Sequence, residues 1–336
     1  MFGEGRRVLV TGGAGYVGSK LVPNLLAEGF GVTVLDTFWY GDMAVGGATS
    51  DQRLTLVRGD VRDISSVRTS LSDVTDVIHL ACISNDPSYD LEPNFGKSIN
   101  LDSFLPLVCE SKEAGVSRFI YASSSSVYGV KEEDQVTEDL ALKPLTDYSK
   151  YKAQCEEILL EQESRDFTTT VVRPATICGP SPRQRLDLTV NILTSHAVHR
   201  GEIQVHGGDQ FRPNLHIDDM CAVYLDLLGQ PRGKICGETF NVGSENMKVA
   251  EIASLVKETV GGKIRISTQL SSDNRSYRIS SEKIHRMLGF APGFTVEDAV
   301  RGLVDSFALG NLTNPLENPD YFNLLRMKQI LADSSL

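Results

Sequence analysis

Long apolar runs are missing from this chain: no stretch comes near the roughly 18 consecutive apolar residues that mark a membrane span. Positive charge is in short supply, with 33 basic against 44 acidic residues and a formal net charge of -11. No long basic run offsets that balance, so nucleic acid and anionic membrane surfaces are poor partners; a local basic pocket for a phosphorylated metabolite stays open. The six cysteines (Cys82, Cys109, Cys155, Cys178, Cys221 and Cys236) form no C-x-x-C pair. Their scatter argues against a zinc site, any other metal centre or a dense disulfide framework, and fits a reducing, cytoplasmic compartment. Internal repeats and low-complexity segments are also lacking. Arg6-Arg7 precedes a strand and a glycine turn, without the apolar segment or cleavage site of a targeting signal.

What remains is an ordinary globular composition, 41% hydrophobic and 23% charged over 336 residues, long enough for two lobes rather than one small domain. The chain is organised around Val8-Leu9-Val10-Thr11-Gly12-Gly13-Ala14-Gly15-Tyr16-Val17-Gly18, an apolar strand running into a glycine-rich turn and a helix. Gly13 to Gly18 matches G-x-G-x-x-G, where missing side chains let the turn tighten, the backbone approach a pyrophosphate and the helix pack on its strand. The pyrophosphate would sit on free N–H groups at the positive end of the helix. A second strand, Gly31 to Leu35, ends in Asp36, about 20 residues past the turn, where a carboxylate can accept from both ribose hydroxyls. That acid favours NAD over NADP, whose extra phosphate it would repel.

Further along, Pro23 is expected to kink the first helix, Gly15 to Glu28, slightly. Phe38 to Asp51 reads as a loop at the cofactor rim. Strands are predicted at Leu54 to Val57, ending at Asp60-Val61 beside the adenine, and at Val74 to Ala81, Arg118 to Ala122 and Thr169 to Arg173. One long helix is predicted over Asn94 to Ala114 and another over Tyr148 to Glu163. This alternation predicts a doubly wound α/β parallel sheet. The rhythm changes beyond Pro174, so we expect a cofactor domain over 1–173 and a mainly substrate-binding lobe over 174–336. A strand near 239–243 is expected to return to the main sheet. Ile203 to Ile217 reads as two short strands about a Gly207-Gly208 turn, and Thr295 with Asp298 as a variant capping box.

Tyr148 and Lys152 fall four residues apart on one predicted helix face, a spacing suited to an acid/base pair. A tyrosine acting as a base near neutrality needs its pKa lowered by roughly three units, about 4 kcal/mol of preferential phenolate stabilisation. A lysine ammonium and a cationic nicotinamide both act in that direction. The cluster Ser123 to Ser126 follows the fifth strand, at the carboxyl edge where doubly wound sheets bind ligands. Taken singly, Y-x-x-x-K is common on solvated helix faces, and serine clusters are usually loops.

Together, Thr11-Gly12-x-x-Gly15-x-x-Gly18, Asp36, Asp60, His79-Leu80-Ala81, the serine cluster, Tyr148-x-x-x-Lys152 and Leu215-His216-Ile217-Asp218-Asp219 resemble an extended short-chain dehydrogenase/reductase of the nucleotide-sugar epimerase/dehydratase group. The resemblance runs from about Arg7 to Leu303. It implies a Rossmann domain with bound NAD, a smaller lobe for a nucleotide diphosphate sugar, and a homodimer built on the helices around Asn94 and Tyr148. By it, Ser124 is the catalytic serine, Tyr148 the base, and Lys152 the group that lowers the tyrosine pKa and holds the ribose. The cofactor set would be Gly12, Gly15, Tyr16, Val17, Gly18, Asp36, Asp60, Val61, Leu80, Ala81, Asn100, Tyr148, Lys152 and Pro174. Arg212 and Arg275 match arginines that clamp a diphosphate, a task suited to bidentate guanidinium contacts, although either alone would pass for a surface cation. Ser125, Thr176, Arg183, Arg185 and Asn191 complete the expected substrate set.

The 4,6-dehydratases of this group carry an Asp-Glu pair directly after the catalytic hydroxyl; this chain has Ser125 and Ser126 there. The segment is similar instead to the 4-epimerases. Two features weaken that assignment: Thr176 replaces an asparagine of the UDP-galactose 4-epimerases, and Ser181 to Asn191 resembles a subgroup that contains sugar-nucleotide dehydrogenases as well as uncharacterised epimerase-like proteins. Arg183 or Arg185 could bind a sugar carboxylate or phosphate, or face solvent. The expected function is a nucleotide-sugar epimerase acting at carbon 4 through a 4-keto intermediate. The alternatives are a 4-dehydrogenase or 4-ketoreductase that exchanges hydride with a second substrate and, more remotely, a non-catalytic NAD-dependent sensor.

Overall fold

The computed structural model describes residues 2–41, 49–270 and 276–333. Its largest layer is a seven-stranded sheet made of β1 (Arg7–Thr11), β2 (Gly31–Asp36), β3 (Leu54–Arg58), β4 (Asp76–His79), β5 (Arg118–Ala122), β6 (Thr168–Pro174) and a later strand, Glu238–Val242. Every pairing is parallel. Val8, Leu9 and Val10 of β1 are fully buried, as a near-continuous apolar strand covered by helices on both faces requires. Full burial of each such side chain contributes about 1.5–3 kcal/mol. This is the doubly wound sheet expected from the alternation of strands and helices.

Between β6 and that later strand lie β7 (Thr176–Cys178), β8 (Glu202–His206) and β9 (Phe211–His216); Glu238–Val242 is β10, followed by β11 (Glu245–Lys248) and β12 (Arg265–Gln269). The main sheet has the order β10-β6-β5-β4-β1-β2-β3. The order in which successive strands are added switches sides between β1 and β4, and the crevice outside the strand ends at such a switch is where doubly wound sheets take ligands. β10 lies along β6, with Phe240 opposite Val172.

The two short strands expected about Gly207-Gly208 are β8 and β9. They do not pair with each other: β8 runs parallel to β12, while β9 pairs with β7 and β11. The intervening turn switches the chain between two small sheets, and residues 265–269, distant in sequence, supply the partner. The predicted helix over 94–114 is three pieces, Pro93–Lys97, a π-helical turn Ser98–Asp102, and Phe104–Glu113. The wide turn falls at Asn100, whose Nδ2 donates to Ile83 O (3.0 Å) and whose Oδ1 accepts from Ile83 N (2.9 Å).

Helix Gly18–Ala27 buries Leu21, Val22, Leu25 and Leu26 and contains Pro23. Helix Asp147–Glu161 opens on a capping box between Thr146 and Ser149, which fixes the start of the segment bearing Tyr148 and Lys152. Thr295 and Asp298 form the capping box of Val296–Ala308. Among the described residues no helix is long and apolar enough to cross a membrane.

Candidate active site

A cavity of about 730 Å³ opens at the carboxyl ends of the strands and continues into the region bounded by β7, β8 and β9. On the cofactor side, Gly12 has φ of 72°, and a Cβ there would stand 2.7 Å from Ala81 N. A Cβ on Gly18 would strike Gly12 O. The turn thus has no room for side chains, and Gly15, Tyr16, Val17 and Gly18 line the cavity where the helix begins. Asp36 is recessed at the end of β2, its carboxylate accepting from Ala14 N (2.9 Å) and Phe38 N (2.8 Å). Burial pushes its pKa up, while those two N–H groups and the charges of Arg183 and Arg58 oppose the rise. Each carboxylate oxygen retains acceptor capacity for a ribose hydroxyl. Asp60, Val61, Leu80, Ala81 and Pro174 also border the cavity. A glycine cradle, an aligned acid and an apolar edge at the switch in strand order fit a dinucleotide.

Ser124, Tyr148 and Lys152 meet in the middle of the same cavity. Ser124 ends the β5 loop, where its Oγ accepts from Ser126 N (3.1 Å) and caps the 3₁₀ turn Ser125–Tyr128. Its side chain also faces Tyr148 closely enough to act on the phenol's pKa. Lys152 is buried, with Nζ donating to Ala122 O (2.6 Å) and lying 4.8 Å from the Tyr121 ring centre and 5.9 Å from that of Tyr148. The phenol differs from the expected poise. Its position deep in the cleft pushes the Tyr148 pKa upward, Cys82 and Asp86 add to the rise, and Arg185 and Ser124 pull it back. Protein groups alone therefore keep this tyrosine protonated.

Behind the serine loop lies a polar network absent from the sequence-based set. Ser123 Oγ donates to Glu156. Glu156 is paired with Arg173 (2.5 Å), whose Nη1 donates to Tyr128 OH (2.8 Å), and that hydroxyl donates to Asn241 Oδ1 (2.8 Å). The spacing Tyr148-x-x-x-Lys152-x-x-x-Glu156 was the available signal, since it puts all three on one helix face.

The expected substrate residues divide. Ser125, Thr176, Arg183, Arg185 and Arg212 border the cavity, with Ser125 Oγ 3.2 Å from Tyr277 OH. Arg183 and Arg185 are only 5% and 8% exposed, which removes the solvent-facing reading. Arg185 is paired with Asp187 at 2.9 Å. Asn191 is not among the residues lining the cavity: it is fully buried, accepting from Gly179 N (3.0 Å) and donating to Tyr16 OH (3.1 Å) and Arg185 O (2.8 Å). It braces the loop from behind. Asn100 likewise uses its amide on Ile83 and holds the loop after β4 from behind. Arg275 lies outside the described residues. In the His216-Ile217-Asp218-Asp219 run, His216 caps helix Ile217–Gly229, and Asp219 accepts from Gly293 N (2.8 Å) and Phe294 N (3.1 Å); both roles are structural. Tyr40, Tyr277 and Asn323 also reach the cavity, from segments with no motif to announce them.

The model of the NAD dependent epimerase/dehydratase family matches residues 8–243. The low-salt glycan biosynthesis protein Agl12 of Haloferax volcanii is 29% identical over 310 residues, covering 89% of this chain and 98% of its own length. A UDP-glucose 4-epimerase of Mycolicibacterium smegmatis is 27% identical over 311 residues, covering 90% of this chain and 98% of its own. Among solved structures, the dTDP-glucose 4,6-dehydratase DesIV of Streptomyces venezuelae, with NAD bound, superposes with a TM-score of 0.83 at 24% identity. That alignment covers 93% of this chain and 100% of DesIV, a likeness of fold.

Proposed function

Because the chain belongs to the NAD dependent epimerase/dehydratase family, and is an NAD-dependent enzyme of the nucleotide-sugar epimerase/dehydratase type, we propose that it is a nucleotide-sugar epimerase acting at carbon 4. The observation that carries this reading is the chemistry of the serine loop. Elimination of water needs a second acid and base beside the reacting sugar, and the two positions after Ser124 hold only hydroxyls. Ser125 is hydrogen-bonded with Tyr277, and Ser126 Oγ is buried without a partner among the described residues. Neither can trade protons near neutrality.

In the proposed reaction Tyr148 Oη takes the proton from the hydroxyl on carbon 4, and Ser124 Oγ steadies the same oxygen. Lys152, fixed through Ala122 O, places its ammonium to favour the phenolate and to hold a ribose hydroxyl. NAD, when bound, supplies a reversible hydride acceptor for carbon 4. The 4-keto sugar turns over in the cavity, is reduced on its other face and recovers its proton from Tyr148. Gly12, Gly15, Gly18 and Asp36 would hold the cofactor, with Asp60, Val61, Leu80 and Ala81 about its adenosine half. Arg212 is assigned to the sugar-nucleotide diphosphate. The sugar half of the cavity is assigned to 174–336 and the cofactor half to 1–173 completed by β10, in a cytoplasmic homodimer.

The test offers purified enzyme UDP-, GDP-, CDP- and dTDP-sugars, following product identity and the absorbance of reduced nicotinamide. An epimer formed with no net reduced cofactor and no second substrate is the expected result. Oxidation only when a keto acid is added would replace this reading with the dehydrogenase. Binding without turnover across the panel would replace it with a sensor.

A further inference from the structure

Arg183 sits in the loop that follows β7. Its N–H donates to Ser19 Oγ (3.1 Å), and Ser181 Oγ donates to Tyr16 O (2.7 Å). Both contacts fasten the loop to the glycine turn and the first turn of its helix. The side chain stacks on Tyr40 at 3.6 Å from the ring centre, and Nη2 donates to Asn323 Oδ1 (2.6 Å). Although buried, it borders the cavity, and its Nε has no partner among the described residues. Burial pushes its pKa down to about 10, so the group stays charged near neutrality. Arg185 has Asp187 as a counterion; Arg183 has no ion-paired carboxylate among the described residues. A buried guanidinium in that state is costly until an anion completes it.

Asn323 sets where that charge stands. It donates to Ser84 Oγ (2.9 Å) and, through its N–H, to Asp187 Oδ2 (3.1 Å). Four residues earlier in the chain's last third, Pro319–Tyr321 begins a segment that continues as helix Asn323–Ala332, and Arg326 Nε donates to Trp39 O (2.6 Å). This segment thus straps the loops after β2 and β4 to the arginine.

We propose that Arg183 is a second anion-binding group for the diphosphate of NAD, facing the helix N-terminus across the cleft, and that Asn323 and Tyr40 hold it there. The sugar nucleotide also carries a diphosphate, but Arg183 is fastened to the glycine turn and its charge acts on Asp36, which places it on the cofactor side. The proposal rests on NAD binding and not on which sugar is turned over.

Displacement of bound NADH from the intact enzyme, followed by fluorescence, separates the possibilities with ADP-ribose, adenosine and UDP as competitors. Arg183→Met should weaken ADP-ribose by about tenfold or more, the scale of a lost charge-assisted contact, while leaving adenosine nearly unchanged. Arg183→Lys should recover part of that loss, because it restores the charge without the planar fork. Asn323→Ala should speed exchange of bound NAD. Unchanged ADP-ribose affinity in Arg183→Met would overturn the proposal. So would an equal loss for adenosine, which would mean that the arginine only shapes the pocket, or a loss confined to UDP, which would move it to the substrate. None of these readouts requires turnover, so failure of the epimerase assignment leaves them interpretable.

Discussion

Tyr148 lines the cavity with Ser124 and Lys152, and removing its hydroxyl is the sharpest test of the proposed chemistry. Tyr148→Phe should retain NAD on purification and lose about 10²- to 10⁴-fold in kcat, the usual worth of a positioned proton-transfer group; undiminished turnover would remove the residue from the mechanism. His79 makes a different prediction. It is buried with Nδ1 2.7 Å from Thr11 Oγ1, and burial, helped by the Lys152 charge, pushes its pKa down from 6.5 to about 3. Below the ordinary histidine pKa the unfolded chain binds a proton that the folded chain refuses, so stability is complete above that pKa and falls as pH drops toward the folded value. For one such group the loss between pH 7.5 and 5 is about 2 kcal/mol. Urea titrations of the wild type and His79→Asn at both pH values should show the variant losing less by that amount, whatever its absolute stability. Ser124, Tyr148, Lys152, Asp36 and the glycines were legible because each belongs to a local spacing with a chemical reason. Glu156 with Arg173, Tyr40 with Arg183, and Asn323 were not, because their partners are set by tertiary packing.

At the scale of elements, the π-turn Ser98–Asp102 shows where local pattern yields to a distant demand. Apolar periodicity favours an unbroken helix from 94 to 114, yet the turn widens where Asn100 answers both backbone groups of Ile83. Asn100→Ala would leave that N–H and C=O buried and unpaired, at a cost of about 2–4 kcal/mol at roughly 1–2 per group. The thermal midpoint should fall accordingly, and hydrogen exchange at Ile83 should quicken more than exchange elsewhere in the sheet. Strands β1, β2, β5 and β6 and the helices at 147 and 296 were readable from the strand–helix rhythm, apolar runs and, at 296, a cap residue. The separation of β8 from β9 was not: two short strands about a glycine pair have the local marks of a hairpin, and only the arrival of residues 265–269 beside β8 gives each strand a different neighbour.

For the molecule as a whole, the main sheet crosses the boundary proposed near residue 174. β10 covers the outer edge of β6, burying Phe240 and Val242, and Tyr128 and Arg173 reach Asn241 through the network behind the serine loop. A fragment of residues 1–173 would expose β6 as an unpaired edge and strip Tyr128 of its acceptor. Such an edge invites pairing between chains, so the fragment should self-associate or precipitate, whereas a soluble monomer with a cooperative unfolding transition would show that the first lobe is self-sufficient.

The same strand sets an order of events during synthesis. A ribosome releases the glycine turn, Asp36, Ser124, Tyr148 and Lys152 well before it makes residues 238–242, and the sheet that presents them stays one strand short throughout that interval. The nascent chain therefore carries its proposed catalytic set on an unfinished platform, and its first half waits for its second to be made before the sheet is complete.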